Sequence, residues 1–343
     1  MESHPELERR LWLFSRRADF WLACGGASAA ILAAVALILF HGDREFDAVD
    51  FVLAEFHLGA TYDAVVRRRL WRHRRIDVLA IPLAILALTY FLSFGGQGIV
   101  LTSIAMYAAV WHRGRQSFGI ARFYQRRVGG PVSRLHDVLF HGAIYLPMLA
   151  AALSYTHIAP REYEGERYLA LDLGAEATAI VGVAAVLCVA AYLAWLFWRQ
   201  FIGGNRTPDL MIHPGEWWIV LAHAAAFGSS YALGASNASF LLVLAVHHEV
   251  QYLYFAYAMA RRPAAFPAAI VANTARFPIS PVPKWRAELK PAASFLAWPV
   301  LGFAGALADG WLQLSWIAPL GVGGLFCHYW LDARIWTRRA FQN

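Results

Sequence analysis

Histidine is the residue type through which this sequence could do chemistry, because histidines recur inside runs that are otherwise apolar. The segment LAEFHLGATYDAVV carries Glu55, His57 and Asp63, and YAAVWHRGRQSFG carries His112, Arg113, Arg115 and Gln116. LHDVLFHGAIYLP contributes His141 and VLAHAAAFG contributes His223. LAVHHEVQYLYF holds His247, His248, Glu249, Gln251 and Tyr252, and LFCHYWLDARIW holds His328 and Asp332. An ionisable side chain in such a run is costly to keep and marks a functional site by default. Imidazoles with few carboxylates suit iron, copper or zinc better than magnesium or calcium. The three cysteines, Cys24, Cys188 and Cys327, show no CxxC spacing and suggest neither a disulfide framework nor a thiolate metal site. His4, His41, His73, His157 and His213 fall in loops or at interfaces and read as solvated.

Spacing adds a second argument. Residues at i and i+4 share a helix face. His328 with Asp332, His112 with Gln116, His247 with Gln251 and His248 with Tyr252 are such pairs. Each gives an imidazole a hydrogen-bonding neighbour, as metal sites use to orient their ligands. His328 with Asp332 is the sharpest, since the carboxylate can fix the tautomer or itself bind the metal. The expected ligands are therefore His57, His112, His247 or His248, and His328. Asp63, Gln116, Gln251, His141 and His223 are expected around them, and Asp332 is expected both there and in catalysis. Tyr252 and Glu249 are candidates for proton transfer. Arg113 and Arg115 are candidates for holding an anionic group of a substrate, against the alternative of snorkelling to headgroups.

The elements that must position these residues are membrane helices. Of the 343 residues 59% are hydrophobic and only 15% charged, with mean hydropathy +0.44; soluble domains run nearer 25% charged. About ten spans are expected: 18–40, 48–66, 76–94, 98–120, 136–156, 176–198, 216–234, 238–260, 292–309 and 311–333, with about eight as the lower count. The fold class is thus all-α, a polytopic transmembrane bundle forming one domain over 1–343. The N-terminal segment is too charged to read as a signal peptide, so the first apolar run is expected to be a retained span. Basic clusters occupy alternate loops, from Arg9–Arg10–Arg16–Arg17 through Arg67–Arg75 and Arg122–Arg134 to Arg334–Arg339. The loops between are acidic or neutral, and this alternation predicts both termini in the cytoplasm. The net charge of +7 is accounted for by those clusters, which excludes nucleic acid as a partner. The stretch 261–291, rich in proline and basic residues, reads as a cytoplasmic loop on the membrane surface.

In that topology the histidines share a depth. His57 lies roughly 15 Å above Arg67, His328 roughly 9 Å above Arg334, and His247 and His248 roughly 20 Å above Arg261. They meet in the middle-to-cytoplasmic half of the bilayer. Iron is the metal expected there, because oxidation of a lipophilic molecule needs O2 chemistry that zinc does not provide. The alternative is a non-enzymatic carrier of metal, heme or protons, in which Glu55, Asp63 and Glu249 would form a proton path.

The order and spacing of these motifs over residues 50 to 335 resembles the bacterial membrane Brp/Blh family of β-carotene dioxygenases, which form retinal. The resemblance lies in His57 with Asp63, in His112, and in His141–Gly142 followed by Leu146–Pro147. It continues in the pair His247–His248 and the closing His328 and Asp332. It implies a histidine-bound, non-heme Fe(II), O2 as co-substrate, a hydrophobic or amphipathic substrate and a place in the bacterial inner membrane. The family's late motif has two histidines one turn apart, whereas here the second position is Gln251 or Tyr252. A relative with the same iron site and another substrate is the expectation that follows.

Overall fold

A computed structural model describes residues 12–25, 44–67, 70–128, 130, 133–154, 162–163, 166–202, 212–234, 241–261 and 318–335. The expected span 292–309, nearly all of the 261–291 loop and most of the expected span 18–40 lie outside the described residues. The longer helices, in chain order, are α1 (Arg44–Arg67), α2 (Ile81–Phe94), α3 (Gly98–Arg127) and α4 (Arg134–Ser154). They continue with α5 (Ala175–Phe197), α6 (Pro214–Gly234), α7 (Leu241–Arg261) and α8 (Ala318–Ile335). Each coincides with a stretch expected to be helical. A two-residue ladder pairs Glu162–Tyr163 with Glu166–Arg167.

Among the described residues, three helical stretches are long and apolar enough to cross a membrane: Ile76–Phe94, Arg134–Ser154 and Ala175–Phe201. Their apolar side chains point outward, with Leu83 64%, Phe91 73%, Ile180 68% and Val186 69% exposed. Such surface is unfavourable in water and neutral in lipid.

The chain divides into two compact units. The first comprises Met1–Asp50, Val110–Glu162 and Leu169–Phe255; the second comprises Phe51–Ala109, Tyr163–Tyr168 and Ala256–Asn343.

In the first unit α4 packs along both α5 and α6. Its interior is tied by buried polar groups as well as by apolar packing. Asp19, fully buried, accepts hydrogen bonds from the backbone N–H groups of Leu13 (2.6 Å) and Phe14 (3.0 Å). The same carboxylate accepts from the hydroxyls of Tyr124 on α3 (2.7 Å) and Tyr254 on α7 (2.6 Å). A second buried carboxylate, Glu216 on α6, meets His136 Nε2 of α4 at 2.6 Å and accepts from the Tyr192 hydroxyl of α5 at 2.7 Å. Every one of these partners satisfies a group whose burial would otherwise be costly.

In the second unit α8 packs against α2. Gly323 lies at this contact: a Cβ there would come within 2.8 Å of Leu86 Cδ2 and displace that side chain. Below it Cys327 Sγ donates to the Pro82 carbonyl (3.3 Å) and Trp330 Nε1 to the Asp77 carbonyl (2.9 Å). Tyr62 of α1 donates to the Gly324 carbonyl at 3.2 Å. Near the C-terminal end of α8, Asp77 pairs with Arg74 (2.9 Å), which also donates to the Arg334 carbonyl (3.3 Å). Leu70, Val78 and Leu331 form the apolar cluster beside these bonds, with Tyr62, Val65 and Trp330 packed on it. These contacts fix the height and rotation of α8 against its neighbours.

Candidate metal centre

The second unit brings His57 of α1 together with His328 and Asp332 of α8. All three are buried, at 3%, 2% and 6% exposure. The two imidazole rings meet edge to face, with centroids 4.6 Å apart and planes at 89°. Asp332 Oδ2 lies 3.8 Å from His57 Nε2 and 3.8 Å from His328 Nε2. One ligand atom from each of the three residues lies within 4.8 Å of the others.

These separations are informative. At 3.8 Å a nitrogen and an oxygen are beyond hydrogen-bond reach. Two ligand atoms each about 2.1 Å from one ion are separated by about 3.0 Å when cis and at most about 4.2 Å when trans. The 3.8 Å separations therefore fit donors arranged around a common ion.

The other carboxylate oxygen explains why Oδ2 is aimed inward. Thr61, one turn after His57 on α1 and fully buried, donates its hydroxyl to Asp332 Oδ1 at 2.7 Å. Thus α1 presents His57 and Thr61, α8 presents His328 and Asp332, and both pairs use the i, i+4 spacing that stacks side chains on one face. Thr61 was not among the residues expected from the sequence, although its spacing from His57 matches that of Asp332 from His328. Asp63, expected to orient the site, is buried two residues further along α1, and Thr61 donates to Asp332.

The first unit contains the other expected residues. His112 of α3 packs its ring against that of His248 of α7, with centroids 4.9 Å apart at 74°. Gln116 donates to the His248 carbonyl (2.7 Å) and to Gln251 Oε1 (3.3 Å). Gln251 in turn donates to the Ala23 carbonyl at 2.9 Å and accepts from Ser117 at 3.4 Å. Both glutamines therefore fasten α3, α7 and the N-terminal segment to one another. His247, adjacent to His248, is buried with neither ring nitrogen hydrogen-bonded among the described residues. Glu249 and Tyr252 are buried on the same helix.

His223 Nε2 meets the Ile144 carbonyl at 3.0 Å. A carbonyl only accepts, so that nitrogen carries the proton and the Nδ1 lone pair is left inward. His141 is half-exposed on α4, its Nδ1 bonded to the Asp137 carbonyl at 2.7 Å. Arg113 is half-buried, and Arg115 is exposed with its guanidinium donating to the Tyr145 hydroxyl. His213, expected to be solvated, is instead buried. Its Nδ1 accepts from the Gly215 N–H at 2.9 Å and its ring meets Trp12 at 4.6 Å. The reason is local, since Trp12 and Tyr124 close over the start of α6.

Comparison with family models, with curated proteins and with solved structures finds no match.

Proposed function

We propose that this chain is a multi-pass membrane protein of about ten spans whose second unit holds Fe(II) on His57, His328 and Asp332. The iron serves an oxygenase or oxidase reaction on a hydrophobic or amphipathic small molecule. The observation that carries the proposal is the position of Asp332 Oδ2, 3.8 Å from each of the two imidazole Nε2 atoms while Thr61 occupies the other oxygen. Two histidines with one carboxylate, leaving further positions open, is the donor set of non-heme iron oxygenases. Asp332, expected in catalysis and around the metal, is here a ligand.

Bound iron would supply O2 activation, the chemistry that unactivated C–H and C=C bonds require. The protein's own share is positional. Thr61 removes one carboxylate oxygen from competition and keeps the other directed at the imidazoles. Burial of the four side chains excludes bulk water and would protect reactive species from side reactions. The carboxylate charge lowers the cost of placing a divalent ion in a low-dielectric interior. On the sequence argument of shared depth, His112, His247 and His248 remain candidate further ligands, and Glu249 and Tyr252 candidate proton carriers.

Metal analysis of the purified chain, reconstituted anaerobically, tests this directly. One equivalent of iron with no Soret absorption is expected, falling below a tenth of that in His328→Ala. A Soret band would redirect the assignment to heme. Absence of any bound metal in correctly folded protein would overturn the proposal.

A further inference from the structure

On the outside of the first unit, α3 and α4 run antiparallel and carry matched side chains along their common groove. From α3 come Trp111, Arg115, Phe118 and Arg122, spaced i, i+4, i+7 and i+11, and from α4 come Asp137, His141 and Tyr145, spaced i, i+4 and i+8. Both sets therefore form a single stripe on their helices. The pairing across the groove is regular. Arg122 forms an ion pair with Asp137 and lies 3.3 Å from His141 Nδ1. Phe118 packs on His141 (5.1 Å) and Tyr145 (5.5 Å). Trp111 stacks on Tyr145 at 5.7 Å and 21°.

The two arginines differ in one respect. Arg122 has its charge balanced by Asp137. Arg115 donates to the Tyr145 hydroxyl and lies over the faces of Phe118 (4.9 Å) and Trp111 (5.9 Å), and no carboxylate among the described residues forms an ion pair with it. It is exposed, and the surface continuing from it is apolar, with Trp111 55%, Leu149 44% and Val138 60% exposed. Tyr145 lies within the stretch Arg134–Ser154, which is long and apolar enough to cross a membrane. A guanidinium held at the side of such a helix, with aromatic and aliphatic surface beside it, needs an anion that can itself enter the bilayer surface.

We infer that Arg115, Tyr145 and Trp111 form a lipid-facing site for the headgroup phosphate of an anionic phospholipid. The guanidinium binds the phosphate oxygens. Tyr145, whose oxygen accepts from Arg115, keeps its O–H to donate to the same phosphate. Trp111 and Leu149 receive the acyl chain, which is why the ligand is a lipid and not a small soluble anion. The proposal rests on the membrane placement above and is independent of the iron assignment.

Native mass spectrometry of the full chain, released from detergent with equal amounts of phosphatidylglycerol and phosphatidylcholine, is the test. The unaltered chain should retain phosphatidylglycerol preferentially. Arg115→Gln should lower that retention about fivefold, the factor one arginine contributes at a membrane surface. Phosphatidylcholine retention and thermal stability should not change, and Arg115→Lys should recover part of the preference. Equal retention of the two lipids by the unaltered chain, or an unchanged preference in Arg115→Gln, would overturn the site. Recovery of the chain in the soluble fraction of a lysate would instead overturn the membrane placement on which it rests.

Discussion

At the residue scale the candidate centre is a question of what orients one carboxylate. Asp332 has two oxygens, and Thr61 takes one of them at 2.7 Å. Removing that hydroxyl should let the carboxylate rotate and leave a buried oxygen without its donor. Thr61→Val, which keeps the shape of the side chain, is expected to weaken metal affinity between about tenfold and a hundredfold, the usual effect of losing a group that orients a ligand. Thr61→Ser should stay within a few-fold of the unaltered chain. Competitive titration against a chelator of known affinity measures both, and equal affinities for the valine and serine variants would remove Thr61 from the site. Half of this arrangement was legible in the sequence. His328 with Asp332 stood out because both residues are ionisable and one turn apart inside an apolar run. His57 with Thr61 has the same spacing, but a threonine in a helix more often bonds its own backbone, as Thr89 does to the Ile85 carbonyl at 2.8 Å. The distinguishing fact is the partner helix, which no single-chain spacing reveals.

At the element scale, local sequence specified where helices form, while distant residues decide how they are held. α4 to α7 start and stop within three residues of the expected boundaries because apolar runs end at glycine, proline and arginine clusters, whereas α3 runs seven residues past its expected end, to Arg127. The buried node at Asp19 was not legible, since its partners Tyr124 and Tyr254 are 105 and 235 positions away. Four donors converge on this carboxylate: the N–H of Leu13 with the Tyr124 hydroxyl on Oδ2, and the N–H of Phe14 with the Tyr254 hydroxyl on Oδ1. Asp19→Asn would place an amide N–H2 against two of those donors and remove the negative charge that strengthens all four bonds. The loss should be about 3 kcal/mol, given the cost of leaving buried groups unmatched. A lowered unfolding midpoint in detergent, larger than that of Tyr124→Phe, is the expected result. A midpoint equal to that of the unaltered chain would show that the node contributes nothing net.

At the scale of the whole molecule, the membrane reading joins composition, exposed apolar surface and the placement of arginines. α3 shows the connection most directly. It has 30 residues, more than the roughly 20 that a bilayer core requires. The excess lies at its C-terminal end, where Arg122, Arg126 and Arg127 are clustered. Its N-terminal end follows the neutral turn FGGQG, where Gly96 adopts φ 74°, a conformation that side chains other than glycine adopt only at a cost. All of its arginines, from Arg113 to Arg127, lie in its C-terminal half, and the excess of basic residues on cytoplasmic sides predicts that this end faces the cytoplasm. Two reporter fusions separated by this one helix test the orientation. Alkaline phosphatase joined after Gly96 should be active, since that turn is expected on the outer side. The same enzyme joined after Val128 should be inactive, while a fluorescent protein at that position should fold and fluoresce. The reverse pattern would invert the topology, and with it the assignment of the histidines to the cytoplasmic half. Equal activity at both positions would mean that α3 does not cross the membrane, leaving its outward-facing arginine stripe to be explained by contact with another protein surface.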